Sequence, residues 1–456
     1  MDQKAANPKS ALEVLPIEVK QAIMSTLPDV WSLKSIALTS SPLYRAFTGA
    51  EVLITSRVLL NEVEFDVLPE AAAALETSRL KPWTRQRIQD FVFQHLHSRG
   101  PPPRKWTLSD ALLISKLYDH VHYFAADLAS KTLVKPPIST YLKSDQAPLS
   151  QNEMTRIIRA FYRFEIYCNI FCDLKRTVNV REQRDIFFSN FSPWENEQLA
   201  CIHDHLFRVV SPAFNDIAEH DIAWGEFSVE YGDRIDSEFI QHLLSLGLAH
   251  LHRIVLAETY EARYKLLYSN YPPHNSKFLY EGLKMANEHD DGVYLSDYTQ
   301  DEELAHIASP FVQDSDTGPT DAWRWAHQDE TCAHFLNSDS QKPLREWGYV
   351  MWDRARLNKW DTFQMPWETP HTSASAGEET QRVAEMQASF DQRSKIYMAG
   401  GRGWWSLGDE SKIIWSCKKN PRDSRTWRRG QRQVKSLSEA RGFLVSLTIP
   451  RRVQAF

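Results

Sequence analysis

The chain has 456 residues, 42% of them apolar and 25% charged, which is an ordinary globular composition and too apolar for a disordered chain. Lys and Arg number 53 against 59 Asp and Glu, a formal charge of −6 that excludes a generally cationic protein. No stretch approaches the ~18 uninterrupted apolar residues of a membrane helix, the opening residues carry no apolar signal core, and five cysteines without framework spacing fit a reducing compartment. A protein of the cytoplasm, the nucleus or both is expected, without a membrane partner.

Residues 1–10 read as a short disordered lead, and residues 11–50 as a three-helix module. In the first helix Leu15, Val19, Ile23 and Leu27 recur at helical spacing, with Pro16 in the first turn, and Pro28-Asp29 stops it. The second helix, 31–38, presents Leu33, Ile36 and Ala37. Ser41-Pro42 opens the third, with Leu43, Tyr44 and Phe47. Residues 51–310 read as a helical body, with helices near 51–64, 84–98, 107–131, 151–174, 193–220, 236–268 and 275–288. Ser150 with Glu153, and Ser192 with Glu195, are capping boxes that fix two of the starts. Alternating β-branched runs with Asn-Gly or Asp-Gly turns are missing from the sequence.

From about 309 the texture changes. The stretch 309–322 reads as an exposed loop, 311–410 as a Trp-rich region, and 369–380 as a flexible polar segment. Ten of the fifteen tryptophans lie between Trp323 and Trp427. The tail 411–456 holds 12 Lys and Arg against Asp423 and Glu439, a local +10 that leaves −16 on the remainder. The expected fold is all-α, predominantly helical: an N-terminal three-helix module, a large helical body, and minor β in the Trp-rich part.

The N-terminal module carries a resemblance. The segment LEVLPIEVKQAIMSTLPDVWSLKSIALTSSPLYRAF is similar to an F-box in the form common in filamentous-fungal proteins. The matching features are Leu15-Pro16, Glu18, the apolar Val19, Ile23 and Leu27, the break at Pro28-Asp29, then Ser32-Leu33 and Leu38-Thr39. It departs from the commoner animal pattern, with Ser41, Pro42, Leu43 and Tyr44 where a Cys-x-x-Trp is usual. The stretches 193–206 and 345–357 also resemble parts of fungal proteins that often carry such a module. The resemblance implies docking on a Skp-type linker of a cullin–RING ubiquitin ligase, with an unidentified protein target held elsewhere on the chain. The chain itself would then be a non-catalytic adaptor. A bundle this small cannot bury all its apolar residues, so Leu15, Pro16, Ile17, Ile23, Leu27 and Leu33 are the expected linker contacts. The competing account makes these the first helices of one larger helical domain, a scaffold without a ubiquitin role.

Other constellations carry less. The pairs His95/His97, His120/His122, His203/His205 and His250/His252 sit in helical contexts, where residues two apart point about 200° apart and do not chelate. Cys168/Cys172 and Cys201/His205 have i, i+4 spacing, but in dense apolar stripes where cysteine acts as a small hydrophobe. GGRGWW at 400–405 lacks the Lys-Ser/Thr of a phosphate loop and reads as a turn that lets Trp404 and Trp405 pack. No metal, cofactor or catalytic residue is expected. Cations interleaved with Trp415 and Trp427 suit single-stranded nucleic acid, against the simpler expectation that the basic tail docks on acidic surface of its own chain.

Overall fold

The computed structural model describes residues 10–80, 82–97, 105–133, 147–171, 178–226, 237–268, 278–285, 314–327, 341–364, 366–367 and 376–415. The described residues are overwhelmingly helical, and their only strands form one short hairpin. They divide into two compact units, 1–220 with 228–390, and 221–227 with 391–456. Among the described residues no helix is long and apolar enough to cross a membrane.

The first unit opens with α1 (Ala11–Val14), α2 (Ile17–Ser25), α3 (Val30–Thr39), α4 (Ser41–Thr48) and α5 (Glu51–Glu62), followed by α6 (Leu68–Ser78). Next come α7 (Arg85–Phe91), a π-helical turn at Val92–His97, α8 (Leu108–Thr132) and α9 (Gln151–Phe171). Then follow α10 (Val180–Ile186), α11 (Pro193–His220), α12 (Glu238–Leu244), α13 (Leu248–Val255), α14 (Tyr260–Tyr268) and α15 (Phe278–Met285). The unit ends with α16 (Gly318–Ala326), α17 (Lys342–Trp347), α18 (Arg354–Lys359) and the first part of α19 (Ala376–Met398).

Two long helices organise this unit. α9 packs on α6, α8 and α11, and α11 packs on α12 to α17. Both are buried nearly all round: Phe161, Tyr162, Phe164 and Tyr167 on α9, and Leu199, Ile202, Leu206 and Val210 on α11, are core residues. A helix apolar on every face must be covered on every face. Both start at the capping boxes read from the sequence. Ser150 N–H donates to Glu153 Oε2 at 2.9 Å and Ser192 N–H to Glu195 Oε2 at 2.9 Å.

Several expectations are corrected. The pattern over 236–268 is not one helix but α12, α13 and α14. Gly247 at φ +81° breaks it, and its missing Cβ leaves room for the Glu165 carboxylate, which accepts the Leu248 N–H at 2.8 Å and so caps α13. α6, with Pro69 in its first turn and four consecutive alanines, escaped a reading based on apolar stripes. The supposed loop at 309–322 contains the start of α16, and Asp314 within it is tied to Arg156 at 2.5 Å. The polar stretch 369–380 contains the start of α19. Residues 1–9 and 416–456, including Trp427 and most of the basic tail, lie outside the described residues, as does Cys172.

Hydrogen bonds cross from the segment before residue 50 to the one after it. Asn61 on α5 donates from Nδ2 to the carbonyls of Ser25, at 3.2 Å, and Leu27, at 2.8 Å. Glu62 accepts the Val30 N–H at 3.0 Å and the hydroxyl of Ser115 on α8. Glu51 accepts the Leu108 N–H at 3.0 Å, at the start of α8. The first helices are thereby joined to the body by hydrogen bonds as well as by packing.

In the second unit, β1 (Gly401–Gly403) pairs antiparallel with β2 (Ile413–Trp415), Arg402 opposite Ile414. Ile222 extends the pairing by donating its N–H to Gly403 O at 2.9 Å. Ile222, Ile396 and Trp405 form its core. The GGRGWW stretch is therefore strand rather than turn, and it does pack Trp405. Trp404 carries the Lys412 ammonium 4.0 Å above its ring. Gly403 has φ +94°, and a Cβ there would stand 2.9 Å from Lys412 O.

The tie between α11 and α17 is a deeply buried ion pair, both partners at most 2% exposed. Arg345 Nε donates to Asp204 Oδ2 at 2.7 Å, and Arg345 Nη1 lies 3.7 Å from Glu197 Oε1. Arg345→Ala is expected to destabilise the chain by about 3–5 kcal/mol, because two carboxylates would lose their buried counter-charge. Adding Asp204→Asn to it is expected to recover part of that loss. Urea unfolding followed by circular dichroism measures both.

Candidate functional site

The N-terminal helices are built from sharp local signals. Ser10 and Glu13 make a reciprocal capping box on α1. Pro16 sits at the cap position of α2 with its ring pre-set for the turn. Asp29 caps α3, its Oδ1 accepting the Ser32 N–H at 2.7 Å. Ser40, rather than Ser41, holds the cap position of α4, and Pro42 follows in the first turn.

These starts fix which way each helix faces. Met24, Val30, Leu33, Ala37, Leu43, Ala46 and Phe47 turn inward and are buried. The opposite faces are also apolar. Val14, Ile17, Val19, Ile23, Trp31, Leu38 and Tyr44 are exposed large hydrophobics, with Leu38 63% exposed and Tyr44 50%. Isolated exposed hydrophobics are normal, but seven within 31 residues of four successive short helices exceed that background. Lys34 Nζ lies 5.0 Å over the Trp31 ring.

The six expected contact residues separate. Pro16, Ile17 and Ile23 are exposed, and Leu15 and Leu27 are half-buried. Leu33 is corrected: it is 0% exposed and belongs to the core joining α3 to its neighbours. Its neighbour in sequence explains the error. With Val30, Leu33 and Ala37 inward, the outward stripe of α3 is Trp31 and Leu38, seven residues apart and hence on one face. The sequence alone does not choose between the two stripes, because apolar residues occur on both faces of the ten-residue helix.

The histidine pairs resolve into packing and hydrogen bonding. His95 stacks on Phe91 and His97 on Phe93 along the π-helical turn. Gln241 accepts the Tyr280 N–H with Oε1 at 3.3 Å, which turns its Nε2 toward His203 Nε2, 2.7 Å away. His203 is then the neutral tautomer whose Nδ1–H points at Asp204 Oδ1, 3.0 Å away. Burial pushes the Asp204 carboxyl up, but Arg345 and His203 outweigh it and hold it down at about 2. Cys168 packs with its Sγ 3.6 Å from Leu244 O, and Cys201 is buried on α11. Among the described residues no group of three or more His, Cys, Asp or Glu is placed to hold a metal ion.

One histidine from each of two pairs meets across α8 and α13: His120 Nδ1 is 2.7 Å from His252 Nδ1, and Tyr123 packs 4.1 Å from the His252 ring. One nitrogen must donate and the other accept, so at least one ring is neutral. Burial, then His252, lowers the His120 pKa, with Lys116 acting the same way and Asp119 opposing. Burial also lowers those of His252, His250 and His205.

The chain matches no family model, no curated protein and no solved structure at a significant level. The functional reading therefore rests on the residues themselves.

Two outcomes follow. Leu33→Ala is expected to cost about 2–5 kcal/mol of stability, as a buried truncation, while Ile23→Ser stays within about 0.5 kcal/mol; denaturant unfolding separates them. Because these histidine pKa values are depressed in the folded chain, their neutral-state stabilisation is complete above the unfolded value near 6.5 and is lost as pH falls below it. Asp204 and Asp127, both held at about 2, stay charged through that window and contribute no slope there. The thermal midpoint is expected to fall between pH 7.5 and pH 5.5, and to fall less in a His120→Asn chain.

Proposed function

We propose that this chain is an F-box-type adaptor, a substrate receptor of a cullin–RING ubiquitin ligase that docks a Skp-type linker through the outward face of α1 to α4. The observation that carries the reading is that face. Ile17, Ile23, Trp31, Leu38 and Tyr44 point outward over a separate core of Met24, Val30, Leu33, Leu43 and Phe47. Apolar side chains beyond what the fold needs support a partner that removes them from water, at roughly 25 cal/mol per Å². The LP-x-E start at Leu15, with Pro16 rigid and exposed, supports the class of partner.

The chemistry of such an adaptor is proximity. It holds a target beside a ubiquitin-charged enzyme and raises the effective concentration of the reacting groups, with no catalytic residue of its own. The compartment would be cytoplasmic or nuclear.

One observation favours a second reading, a helical interaction scaffold without a ubiquitin role. Asn61, Glu62 and Glu51 join the first helices to α5 and α8 as parts of one unit. Removing residues 1–50 would expose the α5 and α8 core under either reading, so a truncation does not discriminate. Point substitutions on the outward face do.

The expected result is that full-length chain co-purifies a Skp-type linker, and that Ile17→Asp with Ile23→Asp abolishes capture without shifting the thermal midpoint. Leu15→Ala with Pro16→Ala is expected to abolish it too. No capture by the unaltered chain, or capture unchanged by the outward substitutions, would leave the scaffold reading.

A further inference from the structure

We propose that the cleft between α6, the π-helical turn and α9 binds an acidic peptide segment, seating one carboxylate on Arg159 and an adjacent apolar side chain against Phe65 and Leu96. The cleft has a volume of about 390 Å³, within the ~300–1,000 Å³ range of ligand sites. Its lining residues all belong to the first unit, and none lies on α1 to α4. The proposal rests on the adaptor reading only for its purpose, as the place where a target would be held.

Three arginines, Arg156, Arg159 and Arg163, project from α9 at three- and four-residue spacing and line this cleft. Two are engaged. Arg156 donates from Nε and Nη2 to Asp314 at 2.5 and 3.0 Å, and from Nη1 to Asp353 at 2.6 Å. Arg163 donates from Nη2 to Glu195 at 2.6 Å and from Nη1 to Gln198 at 3.3 Å. Arg159 differs. Its Nε donates to Glu70 Oε1 at 2.6 Å, and neither terminal nitrogen has a protein partner among the described residues. The side chain is 25% exposed, so that fork can be reached from the cleft.

A guanidinium fork with two free donors matches a planar carboxylate that accepts both in parallel. The surrounding charge limits the ligand further. Asp66 is exposed at the rim, and Glu70 and Asp314 line the cleft. They repel a polyanion, which disfavours a nucleic-acid backbone or a phosphate, and tolerate a single carboxylate. Between the charged groups the lining has an apolar part, Pro69, Ala73, Leu96 and Phe191, with Phe65 68% exposed. One wall is a π-helical turn, a rare conformation that is frequent at functional sites.

The test is selection of a random heptapeptide phage library on the immobilised full-length chain, followed by fluorescence polarisation with the leading peptide labelled. Enrichment of one Asp or Glu beside an aromatic or aliphatic residue is expected. Changing that acid to its amide, or Arg159→Gln in the protein, is expected to weaken binding about tenfold or more. Phe65→Ala, an exposed position that leaves the fold intact, is expected to weaken it severalfold. Peptides without an acidic position, affinity insensitive to Arg159→Gln and Phe65→Ala, no selectable peptide, or equal displacement by excess inorganic phosphate would each overturn the proposal. Linker capture reads the outward face of α1 to α4 and this selection reads the cleft, so each can fail alone.

Discussion

Burying the Arg345 guanidinium costs several kcal/mol that only opposite charge at contact distance can offset. The chain supplies that charge from Asp204 and Glu197, seven residues apart and so on one face of α11. The requirement then propagates. Asp204 must keep its second oxygen engaged, which orients His203. His203 must present an acceptor to Gln241, and Gln241 is held by the Tyr280 N–H on α15. Four segments distant in sequence are thereby fixed by one buried cation. Replacing the whole network with apolar side chains could yield an equally stable interior, but directional bonds admit fewer alternative packings than an apolar contact does.

The same device recurs on α9, and the cap residues are part of it. Glu153 caps α9 through the Ser150 N–H, and its Oε1 also accepts from Arg356 Nε at 2.7 Å and the Asp353 N–H at 3.0 Å. Glu195 caps α11 and also receives Arg163. A capping carboxylate has two oxygens with lone pairs on each, so the local bond leaves capacity for a remote one. The N-terminal ends of both long helices are therefore tied to remote segments by the residues that start them. That placement keeps the cleft's arginine row in register with Glu70 and Asp314.

This double use also marks how far the sequence could be read. The local half of each cap was legible, because Ser-x-x-Glu before an apolar run has a mechanism confined to four residues. So were the helical class and the positions of α8, α9 and α11, whose stripes are long. The remote halves were not, since nothing at Glu153 distinguishes a partner about 200 residues away. α6 was missed because alanine contributes little to an apolar stripe although it favours helix. The break at Gly247 went unread because an isolated glycine is compatible with a helix until its φ is known. Leu33 was placed on the docking face because α3 is apolar on both sides, and only its neighbours decide which side is covered. Arg159 gave no signal at all: it is one of three similar arginines, separable only by which carboxylates reach them.

The hydrogen bonds from Asn61, Glu62 and Glu51 bear on function as well as on folding. Proximity chemistry depends on a fixed separation between what is held and what reacts, because a flexible tether spreads the target over many positions. A docking module on a loose linker would leave that separation to the rest of the assembly. Here α2 and α3 are pinned to α5 and α8, and α5 leads within a few residues into Phe65 and α6, one wall of the cleft. In the adaptor reading the docking face and the target cleft are therefore parts of one packed body, with no hinge of more than a short turn between α5 and α6. The feature that favours the scaffold reading, the fusion of the first helices with the body, is then also what an adaptor needs in order to hold its target at a defined distance.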